Sequence, residues 1–221
     1  EIELEKHQSS AVPLLLIVSL IVAVVGVAGY YAVESRKVLG TAEAANVAID
    51  ILKAQGPATV SFHTGLVVPS VVDRPRDVHY RLLEKAGVLK LGKDKGNAVP
   101  VTLTAKGEEL LKQIPGVKNS LDKGGVQLYV VPLAERRLLE VSNIKMTGTG
   151  RATVEYAWRW EPNTLGEIFD ASGPTVKTFN TWDRATLIQK HGANFYHEAP
   201  TKVVMAVMKN DKGSWQVVTE Y

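Results

Sequence analysis

The stretch AVPLLLIVSLIVAVVGVAGYYAV, residues 11–33, decides how the rest of the chain is organised. It contains no charged residue. A helix needs about 20 apolar residues to cross the roughly 30 Å hydrocarbon core of a bilayer, so this run is long enough to span it with some tilt. The stretch therefore predicts one transmembrane helix, with the rest of the chain held at a membrane surface as a soluble part.

The two ends of this stretch fit an uncleaved anchor. Pro13 falls in the first helical turn, where its missing N–H costs nothing. Tyr30 and Tyr31 lie at the far end, where amphipathic rings favour the headgroup region. A cleaved signal peptide is the alternative, but the acidic tail at 1–10 lacks a basic region and no clear Ala-x-Ala site follows the apolar run.

Small side chains within the predicted span offer a surface to another helix. Membrane helices approach one another closely where such residues line the contact, so we expect the anchor to pack against other membrane subunits. The competing interpretation is that small residues are simply common in membrane helices, since a full GxxxG motif is absent. The residues concerned are Ser19, Ala23, Gly26 and Gly29.

The orientation of the anchor is weakly specified. Lys6 lies on its N-terminal side, whereas Arg36 and Lys37 lie on its C-terminal side. The positive-inside rule therefore leans toward a cytoplasmic soluble part. A short tail before an anchor and a long domain after it is, however, the usual layout of an exported, tethered domain. We expect a single-pass membrane protein with an extracytoplasmic domain.

Composition limits the chemistry that the soluble part can perform. The chain has no cysteine, which excludes disulfides, thiolate metal sites, iron–sulfur clusters and cysteine nucleophiles. Its net charge of +3 is too small to indicate nucleic acid as a partner. No phosphate-binding loop, dinucleotide fingerprint or serine-hydrolase elbow is present. The sequence therefore predicts no catalytic residue, no metal and no cofactor.

Residues 73–114 follow a helix–hairpin–helix pattern. The sequence YRLLEKAGVLKL at 80–91 leads into a basic turn, and VTLTAKGEELL at 101–111 returns as a strand and begins a second helix. This order resembles part of a winged-helix domain of the MarR-like kind, in which the helix before the hairpin reads a DNA groove and the wing touches phosphate.

The resemblance implies that basic side chains of this region contact nucleic acid. They are Arg74, Arg76, Arg81, Lys93 and Lys95. The alternative, which we favour, is a structural helix–hairpin–helix unit with a solvated charged face, because acidic residues interrupt the positive field and phosphate binding needs a clustered basic surface.

The C-terminal part has the period of two that is typical of strands. Within 152–160, four large side chains alternate with polar or small ones, so one face of the strand is predicted to be buried. The ending KNDKGSWQVV at 209–218 resembles the last hairpin of cystatin-like or NTF2-like sheets, which implies a fold and no ligand. The fold class that we predict is α+β, an antiparallel sheet with helices packed on one side.

The predicted organisation has six segments, and the polar sequence KNSLDKGG marks the main boundary. The segments are a tail at 1–10, the transmembrane helix at 11–33, a juxtamembrane helix at 34–56, a winged-helix-like region at 57–117, a linker at 118–125 and the antiparallel α+β domain at 126–221.

Two further sets of side chains are candidates for chemistry. His191, His197 and Glu198 could bind a metal or move a proton. Their spacing matches no metal-binding helix, so hydrogen-bonded loop histidines are the favoured interpretation. The four tryptophans could line a ligand pocket, but packing in the core against the sheet is favoured.

We expect a non-enzymatic, membrane-anchored accessory or scaffolding protein. It would be a subunit of a larger membrane complex, with lipid and other membrane subunits as its partners. The first alternative is a membrane-tethered winged-helix DNA-binding regulator, and the second is a small-ligand-binding α+β domain on a membrane anchor.

Overall fold

The structure is a computed structural model that describes residues 12–35, 38–70, 73–122, 125–191 and 199–218, with the side chains of the first range described over 17–30. The fold is α+β, with an antiparallel sheet and helices, which confirms the predicted class. In chain order the elements are α1 (Val12–Ser35), α2 (Thr41–Ala54), β1 (Ala58–Val67), α3 (Val78–Lys85), β2 (Leu89–Leu91), β3 (Val99–Leu103), α4 (Ala105–Gln113), β4 (Lys118–Leu121), β5 (Gln127–Gly148), β6 (Arg151–Pro162), α5 (Thr164–Phe169), α6 (Pro174–Lys177), α7 (Thr181–Lys190), β7 (Thr201–Lys209) and β8 (Trp215–Val217).

Helix α1 is apolar all round, and its described side chains, at 17–30, are all exposed. Within the part of the chain that the structure describes, no helix has both the length and the apolar character that a membrane crossing requires. The transmembrane segment expected at 11–33 therefore stays a prediction.

One antiparallel sheet joins the strands of the described residues. Its order is β2-β3-β1-β5-β6-β7-β8, and β4 also pairs with β5. The first part of β5 pairs with β1 and β4, and its last part pairs with β6. The regions on either side of 118–125 consequently share one sheet, and residues 118–121 form strand β4 where the sequence predicts a linker.

Strand β5 is longer than its sequence suggests. Separate strands are predicted at 126–132 and 137–146, whereas the structure has one strand of 22 residues. Three register shifts against β6, within 138–148, interrupt the pairing. Such irregularities bend and twist a strand locally, which lets one long strand serve two parts of the sheet.

Two helices flank the β2–β3 hairpin in the region 78–113. Helix α3 leads into the β2–β3 hairpin, and α4 follows directly. The Thr104 hydroxyl caps α4 by accepting the Gly107 N–H at 3.0 Å, and it donates to the Gly87 carbonyl at 2.6 Å. The cap thus also ties the start of α4 to the end of α3.

Two hydrophobic cores lie on the same face of β6. Trp160 belongs to the first core, with α3, α4 and α5, whereas Val154 and Tyr156 belong to the second, with α2. Alternate residues of a strand share a face, and Trp158, between them, packs against both cores. On the opposite face of β6, residues 155, 159 and 161 are exposed.

The predicted core role holds for three of the four tryptophans. Trp160 and Trp215 are buried and Trp158 is half-buried, but the Trp182 side chain is 85 % exposed. Trp182 lies in the first turn of α7, where the helix surface faces solvent. Its assignment to the core is therefore wrong.

Candidate functional site

A groove of about 520 Å³ lies beside the β2–β3 turn. Residues 68–69 and 74–76 line one side of it, and residue 94 with residues 96–99 line the other. Arg74 and Arg76 contribute cations, and Asp94 contributes a carboxylate. The groove therefore combines apolar walls with a mixed charge.

A hydrogen-bond network centred on Asp73 holds the groove-lining loop against β1. One carboxylate oxygen of Asp73 lies 2.5 Å from His63 Nδ1 and accepts the Tyr80 hydroxyl at 2.7 Å. The Tyr80 oxygen in turn accepts the backbone N–H of His63 at 2.7 Å. A strand, a loop and helix α3 are thereby fixed to one another, which orients Arg74 next in the chain.

This network has the form of a histidine oriented by a carboxylate. A carboxylate on Nδ1 sets the tautomer of an imidazole and leaves Nε2 to accept a proton. The side chains of His63 and Asp73 are 20 % and 18 % exposed. Because the network joins three different segments, its role in holding the structure together is sufficient to explain it.

Two histidines meet where α3 packs against the end of α7. The rings of His79 and His191 have centroids 5.0 Å apart, and Phe169 packs edge-on against His191 at 5.6 Å. His79 Nδ1 and His191 Nε2 are buried without a hydrogen-bond partner among the described residues. Both rings therefore lie in surroundings that favour the neutral imidazole.

Burial governs the protonation of these groups. It lowers the pKa of His79, although the neighbouring Asp73 carboxylate partly opposes the shift. It lowers the pKa of His191 to about 4, and the neighbouring His79 and Lys190 act in the same direction. Burial also raises the pKa of Tyr80, so its hydroxyl stays protonated and continues to donate to Asp73.

The five basic residues expected at a nucleic-acid surface are distributed over different contacts. Arg76 forms an ion pair with Asp94 at 2.5 Å, and Arg81 forms one with Asp183 of α7 at 2.7 Å. Arg74 lines the groove, and Lys93 and Lys95 are exposed in the β2–β3 turn. The structure thus brings Arg74 and Arg76 together at the groove and turns Arg81 toward α7.

Helix α3 has its exposed polar side chains engaged within the chain. Besides the Arg81 pair, Lys85 donates to the Thr178 hydroxyl at 2.6 Å, and the Glu84 carboxylate accepts the Leu91 N–H at 3.0 Å. At the start of the helix, Lys190 pairs with Asp77 at 2.9 Å. Since α6 and α7 pack on this helix, it differs from a recognition helix with a free outer face.

The tryptophan pair of β6 is covered by an arginine. The Arg136 guanidinium lies 5.2 Å from the ring centroid of Trp158 and 4.2 Å from that of Trp160, and it donates to the Gly56 carbonyl. A cavity of about 280 Å³ beside it is lined by the end of α2 and by residues 135–136. The cation thus occupies the tryptophan surface that a ligand would need.

Among the described residues, no group of three or more histidine or carboxylate side chains is arranged so that it could hold a metal ion. Of the predicted polar cluster, His191 lies at the end of α7, whereas His197 and Glu198 lie outside the described residues.

The small residues of α1 present an open surface. At Gly26 and at Gly29, a Cβ atom would meet nothing within 4 Å. Residues 19, 23 and 26 are spaced by four and three positions and therefore share one side of the helix. At its two glycines, the helix thus has open space beside its backbone among the described residues.

Comparisons with known proteins assign no relative to this chain: no family model, no curated protein and no solved structure matches it.

Sequence reasoning missed the Asp73 network and the packing of the two histidines between α3 and α7. His63 and Asp73 are ten positions apart, with a strand end and a loop between them. Lys190 and Asp77 are 113 positions apart. The spacing of residues along the chain does not predict such distant contacts. Pairs of positions that vary together across related sequences could have predicted them.

Proposed function

We propose that this protein is a non-enzymatic, single-pass membrane subunit, with residues 11–33 as its anchor and the α+β part as an accessory or scaffolding domain. The observation that carries the proposal is helix α1. Its large side chains at 17–30, such as Ile17, Leu20 and Val25, are more than half exposed. A helix that is apolar on every side needs lipid or other protein chains around it.

The length of the uncharged run supports a span. The 14 residues with described side chains rise about 21 Å at 1.5 Å per residue, which is shorter than a bilayer core. The uncharged sequence at 11–33 extends this to roughly 35 Å, which is sufficient.

A partner for the anchor follows from its small side chains. Ala23 and Gly26 lie on one side of α1, and Ala28 lies on the opposite side at 100° per residue. In lipid, close backbone approach provides much of the attraction between helices. We propose that another membrane subunit packs on the side that carries Ser19, Ala23 and Gly26.

Purification from native membranes tests this proposal. The full chain, carrying an affinity tag, is extracted in mild detergent after an alkaline carbonate wash. We expect the chain to survive the wash and to bring stoichiometric membrane partners with it. Protease added to intact cells is expected to cut the soluble part if it is extracytoplasmic. Release of the chain by carbonate would contradict the anchor.

Matched small-to-large substitutions test the packing of the anchor. Ala23→Leu and Gly26→Leu are each expected to reduce the partner yield, because a bulky side chain prevents the close backbone approach through which helices associate in lipid. A loss of about 1.4 kcal/mol of association free energy would lower the yield about tenfold. Ala28→Leu adds the same side chain on the opposite side and should leave the yield unchanged. Equal yields from all three variants would reject packing through this side.

A DNA-binding regulator is the second candidate. It is favoured by the strand order β2-β3-β1 with α3 before the hairpin. The internal bonds of Arg76 and Arg81 count against it. Gel retardation that falls steeply with salt and disappears on Arg74→Ala with Lys93→Ala would favour this candidate, and no retardation at low salt would eliminate it.

A further inference from the structure

Cationic side chains gather at one end of the sheet, where β5 turns into β6 and β7 turns into β8. The cations are Lys145, Arg151, Lys209 and Lys212. The two turns are adjacent, because the Lys209 N–H donates to the Gly150 carbonyl at 2.8 Å. Arg151 lies opposite Met208 of β7, in the same row of the sheet. We call this set the basic sheet end.

The charges of the basic sheet end are largely unmatched. Lys145, Arg151 and Lys212 are exposed and make no ion pair with another described residue. Three carboxylates lie nearby. Asp211 is in the β7–β8 turn. Glu155, on the face of β6 that carries Arg151, accepts from the Asn143 amide at 3.4 Å, and Glu43, in the first turn of α2, accepts the Gly40 N–H at 3.2 Å. A net positive field therefore points away from the sheet here.

Helix α2 places this end of the sheet next to the anchor. Arg136 donates to the carbonyl of Gly56, just beyond the C-terminal end of α2. Arg136 pairs with Trp160, at the end of the β5–β6 pairing that is distant from the β5–β6 turn. Because α2 also contacts β8, its N-terminal end lies toward the β7–β8 turn. Leu39, just before α2, is buried in the second core. It follows Ser35, the last residue of α1, by four positions, a span of at most about 14 Å.

We infer that the basic sheet end docks on a bilayer surface rich in anionic phospholipid headgroups. The inference rests on the anchor proposed above, because α1 would keep this end of the domain within reach of the membrane. Negative surface potential acts over about one Debye length, near 10 Å. Docking would set the tilt of the sheet above the bilayer and so decide which surfaces face a partner.

The absence of cysteine allows a direct test. Thr147→Cys provides one labelling site at the basic sheet end, and Ser120→Cys provides one on β4, at the other end of β5. Each full-length chain is reconstituted in vesicles of phosphatidylcholine, with or without phosphatidylglycerol. Quenching of the fluorescent label by headgroup-attached quencher reports its distance from the surface.

We expect phosphatidylglycerol to increase quenching at position 147 and to leave position 120 unchanged, with the increase abolished at high salt. Combining Lys145→Gln, Arg151→Gln and Lys212→Gln should lower the ratio of docked to free domain by about fivefold per cation. The matched control combines Lys90→Gln, Lys93→Gln and Lys95→Gln at the β2–β3 hairpin and should retain the quenching.

The outcomes separate this inference from the anchor. Chains that resist carbonate but show the same quenching in both lipids would overturn the docking surface alone. Chains that carbonate releases but that still respond to phosphatidylglycerol would overturn the anchor alone. Equal effects of the two triple variants, or competition by short DNA that depends on the same three residues, would also overturn the lipid assignment.

Discussion

The Tyr80 hydroxyl shows how one atom can hold three segments together. It donates to Asp73, from the loop, and accepts the N–H of His63, from β1, while its ring is buried on α3. Both bonds are partly buried, and removal of one partner leaves the other polar group without that hydrogen bond. The loop that carries Arg74 depends on this arrangement.

Removing that hydroxyl is expected to destabilise the fold without changing its shape. Tyr80→Phe should lower the free energy of unfolding by about 1–3 kcal/mol, because the His63 N–H and one Asp73 oxygen are each left without this partner. Urea unfolding of the full chain in detergent micelles measures the change. Tyr129→Phe is the matched control, since the Tyr129 ring stacks on Phe62, and it should cost less than about 0.5 kcal/mol. Equal destabilisation by the two variants would contradict the role of the network.

Acid is expected to weaken the fold through His191. Its pKa is lowered to about 4 in the folded chain, against about 6.5 when unfolded. Between these values the unfolded chain binds more protons, so stability falls as the pH falls from about 6.5 to about 4, with a slope of at most about 1.4 kcal/mol per pH unit from this group. His191→Gln should flatten the decline in unfolding free energies measured across this range.

A packing variant distinguishes titration from packing. Phe169→Leu loosens the surroundings of His191 but keeps the titrating group. It should lower stability at every pH while retaining most of the slope. Burial also lowers the pKa of His79, so a residual slope is expected, but a slope unchanged in His191→Gln would show that other groups cause the acid sensitivity.

At the scale of elements, two glycines allow helices to approach strands closely. A Cβ at Gly107 of α4 would lie 2.2 Å from the Val88 carbonyl oxygen, and a Cβ at Gly166 of α5 would lie 2.0 Å from that of Leu133. These distances are far below van der Waals contact. Helix α4 therefore contacts the backbone just before β2, and α5 contacts the backbone of β5. Neither position has room for a side chain.

Helices usually prefer alanine to glycine, but at these two positions alanine is expected to destabilise the fold. Gly→Ala in an exposed helix stabilises by up to about 1 kcal/mol, but Gly107→Ala and Gly166→Ala should each destabilise by about 2–4 kcal/mol because backbone must move. Gly148→Ala is the control, since a Cβ there meets nothing within 4 Å. Thermal unfolding compares the three variants, and a neutral Gly107→Ala would reject the close approach of α4.

At the scale of the whole molecule, β5 joins the parts of the chain that precede and follow residues 118–125. Its first part pairs with β1 and its last part with β6, and Trp158 packs against both cores. A break in either core would therefore disturb the strand that the other core uses. Such sharing is the physical basis of cooperative unfolding.

The chain is expected to unfold in one transition. All four tryptophans lie after residue 125, so their fluorescence reports the C-terminal part. A single label at Thr102→Cys in β3 reports the other part. The two urea curves of the full chain should coincide. Midpoints that differ would mean that the predicted boundary at 118–125 separates two independent domains.

The sequence alone determined the elements whose signals are local. The uncharged run at 11–33, the pattern at 80–91 and 101–111, and the alternation in β6 all act over a few positions, so periodicity and turn residues predict them. The tertiary structure alone decided that β4 joins the sheet, that β5 is continuous, that Trp182 is exposed, and that α7 covers α3. These features depend on contacts as distant as Lys190 with Asp77, 113 positions apart. Their formation is decided by the free energy of packing the whole chain, which no short segment contains.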